Sequence, residues 1–303
     1  MKNMFRDAKM QETFERMGYV TVDFLNAAEV EQMKNAYFEL ESIKGGMRKE
    51  YDVTFDTEHE ITYDFTFTDS NPNYKQAVFD RITDLFMPIA DQYLNNYQPI
   101  IANFINKNPS KGEVPLHQNW AFVDEYKYTS VSVWCPLVDS NIHNGTLQMV
   151  DGSHKRFAPV RGPLIPWELE DLKDTIIKEY LVPMNIKAGQ AVILDDSIIH
   201  YSALNNTNGL RLAIQLIMIP GNTHSIHYHL DSTGEKPMVR VYKVDKDFYM
   251  QFHPWLKPKD VEELEAFEYN PKRIDKATFD KMLKGKAIDQ PKGILDNILS
   301  LFN

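Results

Sequence analysis

A histidine, a serine and an arginine lie close together in the second half of the chain. His200 and Ser202 are two residues apart, and Arg211 follows the histidine by eleven residues. Apolar and β-branched residues surround these positions, which predicts strands, and alternation along a strand places His200 and Ser202 on one face. If the two strands pair, an imidazole, a hydroxyl and a guanidinium converge inside a barrel. Such a set could combine a metal ligand with a clamp for a carboxylate.

A second group of possible ligands lies upstream, at His117 and Asn119. In an extended segment these two side chains share a face, because residues two apart point the same way. Two histidines and an oxygen donor that leave coordination positions open form the facial arrangement of non-haem iron(II) oxygenases. The oxygen donor in that arrangement is a carboxylate, whereas this chain has an amide.

These residues belong to an ordered series of motifs that resembles the phytanoyl-CoA dioxygenase family of iron(II)/2-oxoglutarate-dependent oxygenases. The resemblance runs from about Gly18 to Met218. It implies a mainly β fold, a double-stranded β-helix of the jelly-roll or cupin type, with flanking N-terminal and C-terminal helices. The motifs are Gly18-Tyr19-Val20-Thr21-Val22, His117-Gln118-Asn119, Asn144-Gly145-Thr146-Leu147, Asp151-Gly152-Ser153-His154-Lys155, Ala188-Gly189-Gln190-Ala191-Val192, and His200, Ser202 and Arg211.

The resemblance implies that iron(II) is the metal and that His117 and His200 are two of its ligands. Asn119 stands where the family has an aspartate. An amide oxygen can ligate a metal, but it supplies a dipole in place of a full negative charge.

The departure at Asn119 leaves several outcomes open. The site can work with two histidines and the amide, recruit Asp124, Asp195 or Asp196, or have lost iron altogether. Related halogenases also lack the acid and hold chloride in the vacated position. They carry Gly or Ala there, however, and the larger Asn would fill that space, so halogenation is a minor option.

The resemblance implies that 2-oxoglutarate is the cosubstrate and that Arg211 and Ser202 hold its distal carboxylate. The rigid fork of a guanidinium matches a carboxylate in bidentate fashion. Trp134 is expected to line the cosubstrate. The structural alternatives are an arginine paired with a barrel aspartate and a tryptophan that only fills the core.

Two classes of function follow from these residues. The first is a 2-oxoglutarate-dependent dioxygenase that hydroxylates a small molecule and releases succinate and CO2. The second is a non-catalytic or metal-impaired relative that binds a carboxylate ligand or a protein partner on the same barrel. Arg211, Ser202 and both histidines favour the first class, and Asn119 favours the second.

Composition narrows the partners and the compartment. The 303 residues carry a formal charge of −10, which argues against nucleic acid and anionic membrane surfaces, and fits poorly with a CoA thioester as substrate. A single cysteine, Cys135, excludes an internal disulfide. The polar start at residues 1–10 is unlike a signal peptide, and no apolar run approaches the roughly 18 residues of a spanning helix. A cytoplasmic protein is therefore expected, while its oligomeric state cannot be derived from the sequence.

We expect one domain over residues 1–303. Amphipathic helices are predicted at Ala27 to Ile43 and Tyr74 to Leu94, because apolar residues recur there at helical spacing. Substrate contacts are expected from Tyr51 to Asn71 and from the insert. The expected parts are an N-terminal part of helices and a strand at 1–96, a barrel at about 97–244, a lid-like insert at 162–178 and a C-terminal helical extension at 245–303.

The remaining histidines are less suggestive. His154 belongs to a Gly-Ser-His turn, where a structural role is expected. His224, His227 and His229 lack a carboxylate at matching spacing, which argues against a second metal site there.

Overall fold

The computed structural model describes residues 4–47, 61–254 and 256–285. Within these ranges the fold is mainly β, and the strands of every sheet pair antiparallel. The expectation of a mainly β fold of the jelly-roll type is confirmed. The strands are β1 (Tyr19–Asp23), β2 (Asp64–Phe65), β3 (Tyr97–Lys107), β4 (Val114–His117), β5 (Val131–Pro136), β6 (Gln148–Met149), β7 (Val182–Pro183), β8 (Gln190–Asp195), β9 (His200–Ser202), β10 (Arg211–Pro220), β11 (Ser225–Asp231), β12 (Met238–Val244) and β13 (Glu263–Glu268).

Two sheets enclose the interior of the barrel. The larger has six strands in the order β1-β8-β5-β10-β3-β2, and the smaller has four in the order β4-β9-β6-β7. Strand β10 is central to the larger sheet, where it pairs with β3 on one side and β5 on the other. Side chains of both sheets line one cavity, so the interior of the barrel lies between them.

The three N-terminal helices cover the outer face of the larger sheet. Their apolar side chains form one core with alternate residues of β5, among them Val131, Val133 and Cys135. The intervening residues Ser132 and Trp134 therefore point to the barrel interior, as alternation requires. The helices are α1 (Ala8–Met17), α2 (Ala27–Leu40), α3 (Pro72–Tyr93), α4 (Lys173–Glu179), α5 (Lys246–Met250) and α6 (Lys276–Lys284).

Helix α3 tolerates a proline near its C-terminal end. Pro88 could have ended the helix early, but α3 continues to Tyr93. Asn71 caps the other end and accepts a hydrogen bond from the Asn73 amide, and Pro72 occupies the first turn, where its missing N–H is not needed.

The C-terminal region differs from the expected helical extension. Strands β11, β12 and β13 form a separate three-stranded sheet, which the sequence reasoning did not anticipate. Strand β13 lies within the helical extension expected at 245–303 and pairs with β12. Pairing with a neighbouring strand outweighs the low strand propensity of its glutamates, because strand preference depends strongly on context.

Two further regions bear on the site. The insert at 162–178 contains a 3-10 turn at Glu170–Leu172 and most of α4. Of the segment from Tyr51 to Asn71, residues 51–60 lie outside the described residues, and the remainder contributes β2 and a 3-10 turn at Thr66–Thr68. In the ranges that the structure describes, no helix has the length and apolarity needed to cross a membrane.

Candidate active site

His117 and His200 face each other across paired strands of the smaller sheet. They are register partners in β4 and β9, and their ring centroids lie 4.1 Å apart. The Nδ1 atom of His117 lies 2.7 Å from the Pro115 carbonyl, and that of His200 lies 3.0 Å from the Ile198 carbonyl. A carbonyl only accepts, so each Nδ1 carries the proton and each Nε2 keeps a free lone pair. This is the tautomer that a metal ligand requires.

Electrostatics keep both imidazoles neutral. Burial lowers the pKa of His200 to about 3, and the neighbouring His117 adds to the effect. Burial also lowers the pKa of His117, although the nearby Pro115 carbonyl and the Asn119 side chain oppose the shift. Two neutral imidazoles side by side can bind a cation without first losing protons.

The Asn119 side chain is fixed by a buried polar group. Its Nδ2 atom donates to Asp196 Oδ1 at 2.8 Å and to Ser132 Oγ at 3.2 Å. Ser132 Oγ in turn donates to Asp196 Oδ1 at 2.6 Å. With its nitrogen turned to these acceptors, the amide directs its oxygen toward His117. Both histidines and Asn119 line the same cavity.

None of the three aspartates considered as substitute ligands joins the histidines. In the described ranges, no group of three His, Cys, Asp or Glu side chains could hold a metal ion. Asp124 lies 3.1 Å from the Lys127 ammonium, and Asp195 accepts from the backbone and hydroxyl of Ser197. Asp196 faces Asn119, and burial raises its pKa to about 7.

Arg211 is buried in the barrel with unused hydrogen-bonding capacity. Its side chain is 2% exposed, and its Nε and Nη1 atoms have no hydrogen-bond partner. Burial lowers its pKa to about 9, while the nearby Tyr63 phenol acts in the opposite direction. No described carboxylate pairs with the guanidinium, so the alternative of an arginine held by a barrel aspartate has no support among these residues. A buried guanidinium with free donors is suited to an anionic ligand.

His200 and Arg211 converge by a different route from the one expected. Their strands do not pair: β9 belongs to the smaller sheet and β10 to the larger, and the intervening turn crosses from one to the other. Alternation nevertheless holds within each strand. His200 and Ser202 line the cavity from one sheet, and Arg211 and Gln215 line it from the other.

Ser202 lies on the cavity wall, but other groups use its hydroxyl. Ser202 Oγ donates to the Gly145 carbonyl at 2.8 Å and accepts from the Lys107 ammonium. Lys107 also donates to the carbonyls of Ser202 and Ala203, at 3.0 and 2.7 Å. It is the register partner of Arg211, and the sequence reasoning missed it. An alanine at Gly145 would place its Cβ 2.3 Å from the Ala203 carbonyl, so this junction excludes a side chain.

Trp134 lines the cavity as expected, and aromatic side chains dominate the remainder of the wall. The cavity has a volume of about 240 Å³. Asn103 and Gln215 satisfy each other through a hydrogen bond of 3.1 Å. Among the described wall residues, Arg211 is the one with a permanent positive charge, and none carries a carboxylate. The aromatic residues are Tyr63, Phe65, Phe67, Trp120, Phe122 and Trp134.

A buried ion pair supports the backbone of Asn119. Arg161 binds Glu125 in bidentate fashion at 2.8 and 2.6 Å, and its Nε donates to the Asn119 carbonyl at 2.6 Å. Both partners are 5% exposed. These residues lie 42 and 6 positions from Asn119, and no local sequence pattern connects them.

The insert is attached beside the histidine pair. Trp167 Nε1 donates to Gln118 Oε1 at 2.9 Å, and Gln118 Nε2 donates to the carbonyls of Phe157 and Ser197. Gln118 stands between His117 and Asn119 in the chain, so the insert contacts the segment that carries both side chains.

His154 and His227 lie apart from this cavity. His154 is buried beneath Gly18, where an added Cβ would approach its Nδ1 to 2.5 Å. His227 is buried against the rings of Phe248 and Phe252. Neither residue lines the cavity.

Comparison with known proteins identifies the family. The model of the phytanoyl-CoA dioxygenase (PhyH) family matches residues 14–213, about two thirds of the chain. The chain belongs to this family. Membership supports a dioxygenase-type enzyme that acts on a small molecule, and it supports the expected iron(II) and 2-oxoglutarate.

Curated relatives agree with this membership. The chain is 28% identical over 201 residues to the phytanoyl-CoA dioxygenase domain-containing protein 1 homolog of Dictyostelium discoideum, covering 63% of this chain and 69% of that protein. It is 32% identical over 156 residues to phytanoyl-CoA dioxygenase domain-containing protein 1 of Danio rerio, covering 48% of this chain and 54% of that protein.

A solved structure supports the fold. The carbocyclase SnoK from nogalamycin biosynthesis, a non-heme alpha ketoglutarate dependent enzyme, matches with a TM-score of 0.51 at 16% identity. The match covers 73% of this chain and 86% of that chain. At this identity the likeness bears on the fold alone.

Proposed function

We propose that the chain is an iron(II)/2-oxoglutarate-dependent oxygenase that hydroxylates a small molecule. In the proposed site, His117, His200 and the Asn119 amide oxygen hold iron(II), and Arg211 holds the distal carboxylate of 2-oxoglutarate. Bound iron(II) would activate dioxygen, with one oxygen atom entering succinate as CO2 is released and the other entering the product.

The proposal rests mainly on the buried guanidinium of Arg211. A guanidinium that is buried without a partner is costly, because it has lost water and gained no acceptor. Two of its nitrogens lack partners, and it lines the same cavity as the histidine pair. A carboxylate bound there would satisfy it. Arg211 lies in the larger sheet and the histidines lie in the smaller one. A ligand bound to Arg211 by one carboxylate could therefore extend a second group of oxygen atoms toward the histidines.

The remaining wall supports a small, largely uncharged and apolar substrate. Aromatic rings offer large contact areas and few hydrogen bonds. The phosphates of a CoA thioester require several basic groups, whereas the wall of this cavity of about 240 Å³ contains one arginine and no lysine among its described residues. We therefore propose a substrate other than a CoA thioester.

The proposal is tested by metal-dependent and 2-oxoglutarate-dependent release of succinate. Purified protein loaded with iron(II) is mixed with 2-oxoglutarate and air, and succinate is quantified with and without small aromatic or alicyclic candidate substrates. We expect slow release without substrate and faster release with one. His200→Ala should abolish both, whereas His227→Ala, a buried histidine outside the cavity, should retain them. No succinate from the wild type would contradict the proposal.

A second candidate function is favoured by Asn119. A site whose oxygen donor is an amide binds a dication less tightly than one with a carboxylate. Under this alternative the barrel binds a carboxylate ligand at Arg211 without turnover. Calorimetry distinguishes the two candidates: 2-oxoglutarate binding that needs no metal, together with absent succinate, would favour the non-catalytic relative.

A further inference from the structure

The side chain behind Asn119 is a carboxylate. Asp196 is 0% exposed, and its Oδ1 accepts from both Asn119 and Ser132. Its partners in these hydrogen bonds are neutral, and its Oδ2 has no partner. Among the described residues it forms no ion pair. A positive charge nearby would stabilise the ionised form of a buried carboxyl group that has only neutral hydrogen-bond partners.

In the hydrogen bonds around Asn119, Asn119 donates to Ser132 and Asp196, and Ser132 donates to Asp196. Asp196 Oδ1 accepts hydrogen bonds from Asn119 Nδ2 and from Ser132 Oγ, so the Asn119 nitrogen faces Asp196. Ser132 gives its proton to Asp196, so toward Asn119 its oxygen acts only as an acceptor. The amide therefore cannot rotate by half a turn without losing both bonds, and its oxygen stays turned away from Asp196 and Ser132.

We propose that Asp196 is a positioning residue that presents the Asn119 oxygen to the metal and supplies, through the amide, the negative charge that this chain lacks in its ligand set. The inference rests on the proposed function, because it takes Asn119 as a ligand. In this arrangement the carboxylate belongs to Asp196, which contacts the ligand Asn119 and not the metal. The site thereby keeps a negative charge close to the metal. A carboxylate hydrogen-bonded to a ligand in this way orients it and strengthens its donor character.

The arrangement makes Asn119→Asp unfavourable on its own. The new carboxyl group would stand about 2.8 Å from the Asp196 oxygen, the present distance to Nδ2, and two carboxylates at that range cannot both be ionised without a large cost. Exchanging the two residues in the double variant Asn119→Asp/Asp196→Asn restores one acid and one amide in contact. The pair therefore offers a matched exchange experiment.

The experiment measures cobalt(II) affinity by calorimetry and by the visible absorption of bound cobalt, with thermal unfolding of each metal-free protein. Asp196→Asn keeps the shape and removes the charge, and we expect cobalt(II) affinity to fall about 10- to 100-fold. Asn119→Asp should lower the unfolding temperature of the metal-free protein. The double variant should recover that temperature and bind cobalt(II) at least as tightly as the wild type.

Two controls separate the possible failures. His200→Ala should lose cobalt(II) binding, and a wild type that binds no cobalt(II) would overturn both the proposed function and this inference. If His200→Ala loses binding but Asp196→Asn retains wild-type affinity, Asp196 is only structural and the proposed function stands. Asn119→Ala with undiminished affinity would mean that Asn119 is not a ligand, which overturns the positioning role. If Asp196→Asn does not fold, the double variant provides the test. Weaker cobalt(II) binding by the double variant than by the wild type would then overturn the positioning role of Asp196.

Discussion

The guanidinium of Arg211 lies over the ring of Trp134, with its central carbon 5.7 Å from the ring centroid. The indole thus offers its electron-rich face to a cation that has no acceptor among the described residues. This contact orients the arginine while leaving two nitrogens without hydrogen-bond partners.

Arg211→Ala should weaken 2-oxoglutarate binding by about 2–5 kcal/mol, roughly 30-fold to several thousand-fold, because one partner of a buried charge pair is lost. Arg211→Lys keeps a charge but loses the bidentate fork, so an intermediate loss is expected. Trp134→Phe, which keeps an aromatic face, should cost no more than about 2 kcal/mol. Calorimetry with cobalt(II) present measures all three. Unchanged affinity in Arg211→Ala would make the arginine structural.

Acid should destabilise the protein in part through His227. Burial lowers the pKa of His227 to about 3, below the ordinary 6.5, and His229 adds to the shift. Between these values the unfolded chain binds a proton that the folded protein does not, so stability falls as the pH falls from 6.5 toward 3. His227→Phe removes this effect. Urea unfolding at pH 7 and at pH 4.5 gives the free energy of unfolding that each protein loses on acidification. This loss should be about 2–3 kcal/mol smaller in His227→Phe than in the wild type. Parallel losses would mean that the histidine titrates normally.

The attachment of the insert can be tested at Trp167. Trp167→Phe removes the hydrogen bond to Gln118 Oε1 and leaves a buried acceptor unsatisfied, a cost of about 1–3 kcal/mol. We expect faster proteolytic cleavage within residues 162–178. The matched control is Tyr269→Phe, which removes an exposed hydrogen bond to the Pro166 carbonyl of the same insert. Equal cleavage rates in the two variants would argue against a special role for the Trp167 contact.

The ion pair behind Asn119 should be far more important to stability than a surface pair. Glu125→Gln leaves the Arg161 guanidinium buried without its counter-charge, and a loss of about 3–5 kcal/mol in the free energy of unfolding is expected. Asp139→Asn is the control, because Asp139 and Lys187 are 56% and 76% exposed and such pairs contribute about 0–1 kcal/mol. Denaturant unfolding measures both. A loss in Glu125→Gln as small as in the control would show that Asn119 needs no such support.

The parts of the site that could be predicted are those set by local alternation. His117 with Asn119, and His200 with Ser202, share a face because they are two residues apart on extended backbone. The same rule turned Trp134 inward, opposite the core residues of its strand. These are local relations, and a sequence contains them directly.

The parts that could not be predicted depend on contacts between distant residues. Lys107 meets Ser202 across 95 positions, and Asp196 meets Asn119 across 77. Both contacts are fixed by the way strands are distributed between the sheets, and the pairing considered for the strands of His200 and Arg211 does not occur. Strand β13 was missed for a related reason, because its glutamates are tolerated only where β12 provides a partner.

The histidines and the arginine belong to different layers of the barrel. His117 and His200 sit in the four-stranded sheet, Arg211 sits in the six-stranded one, and the chain joins them through the turn after Ser202. A dicarboxylate gripped at one end by metal and at the other by Arg211 would act as a cross-brace between the two layers. Amide hydrogen exchange in β9 and β10 should then slow together when metal and 2-oxoglutarate are both present, because neither component alone spans the gap.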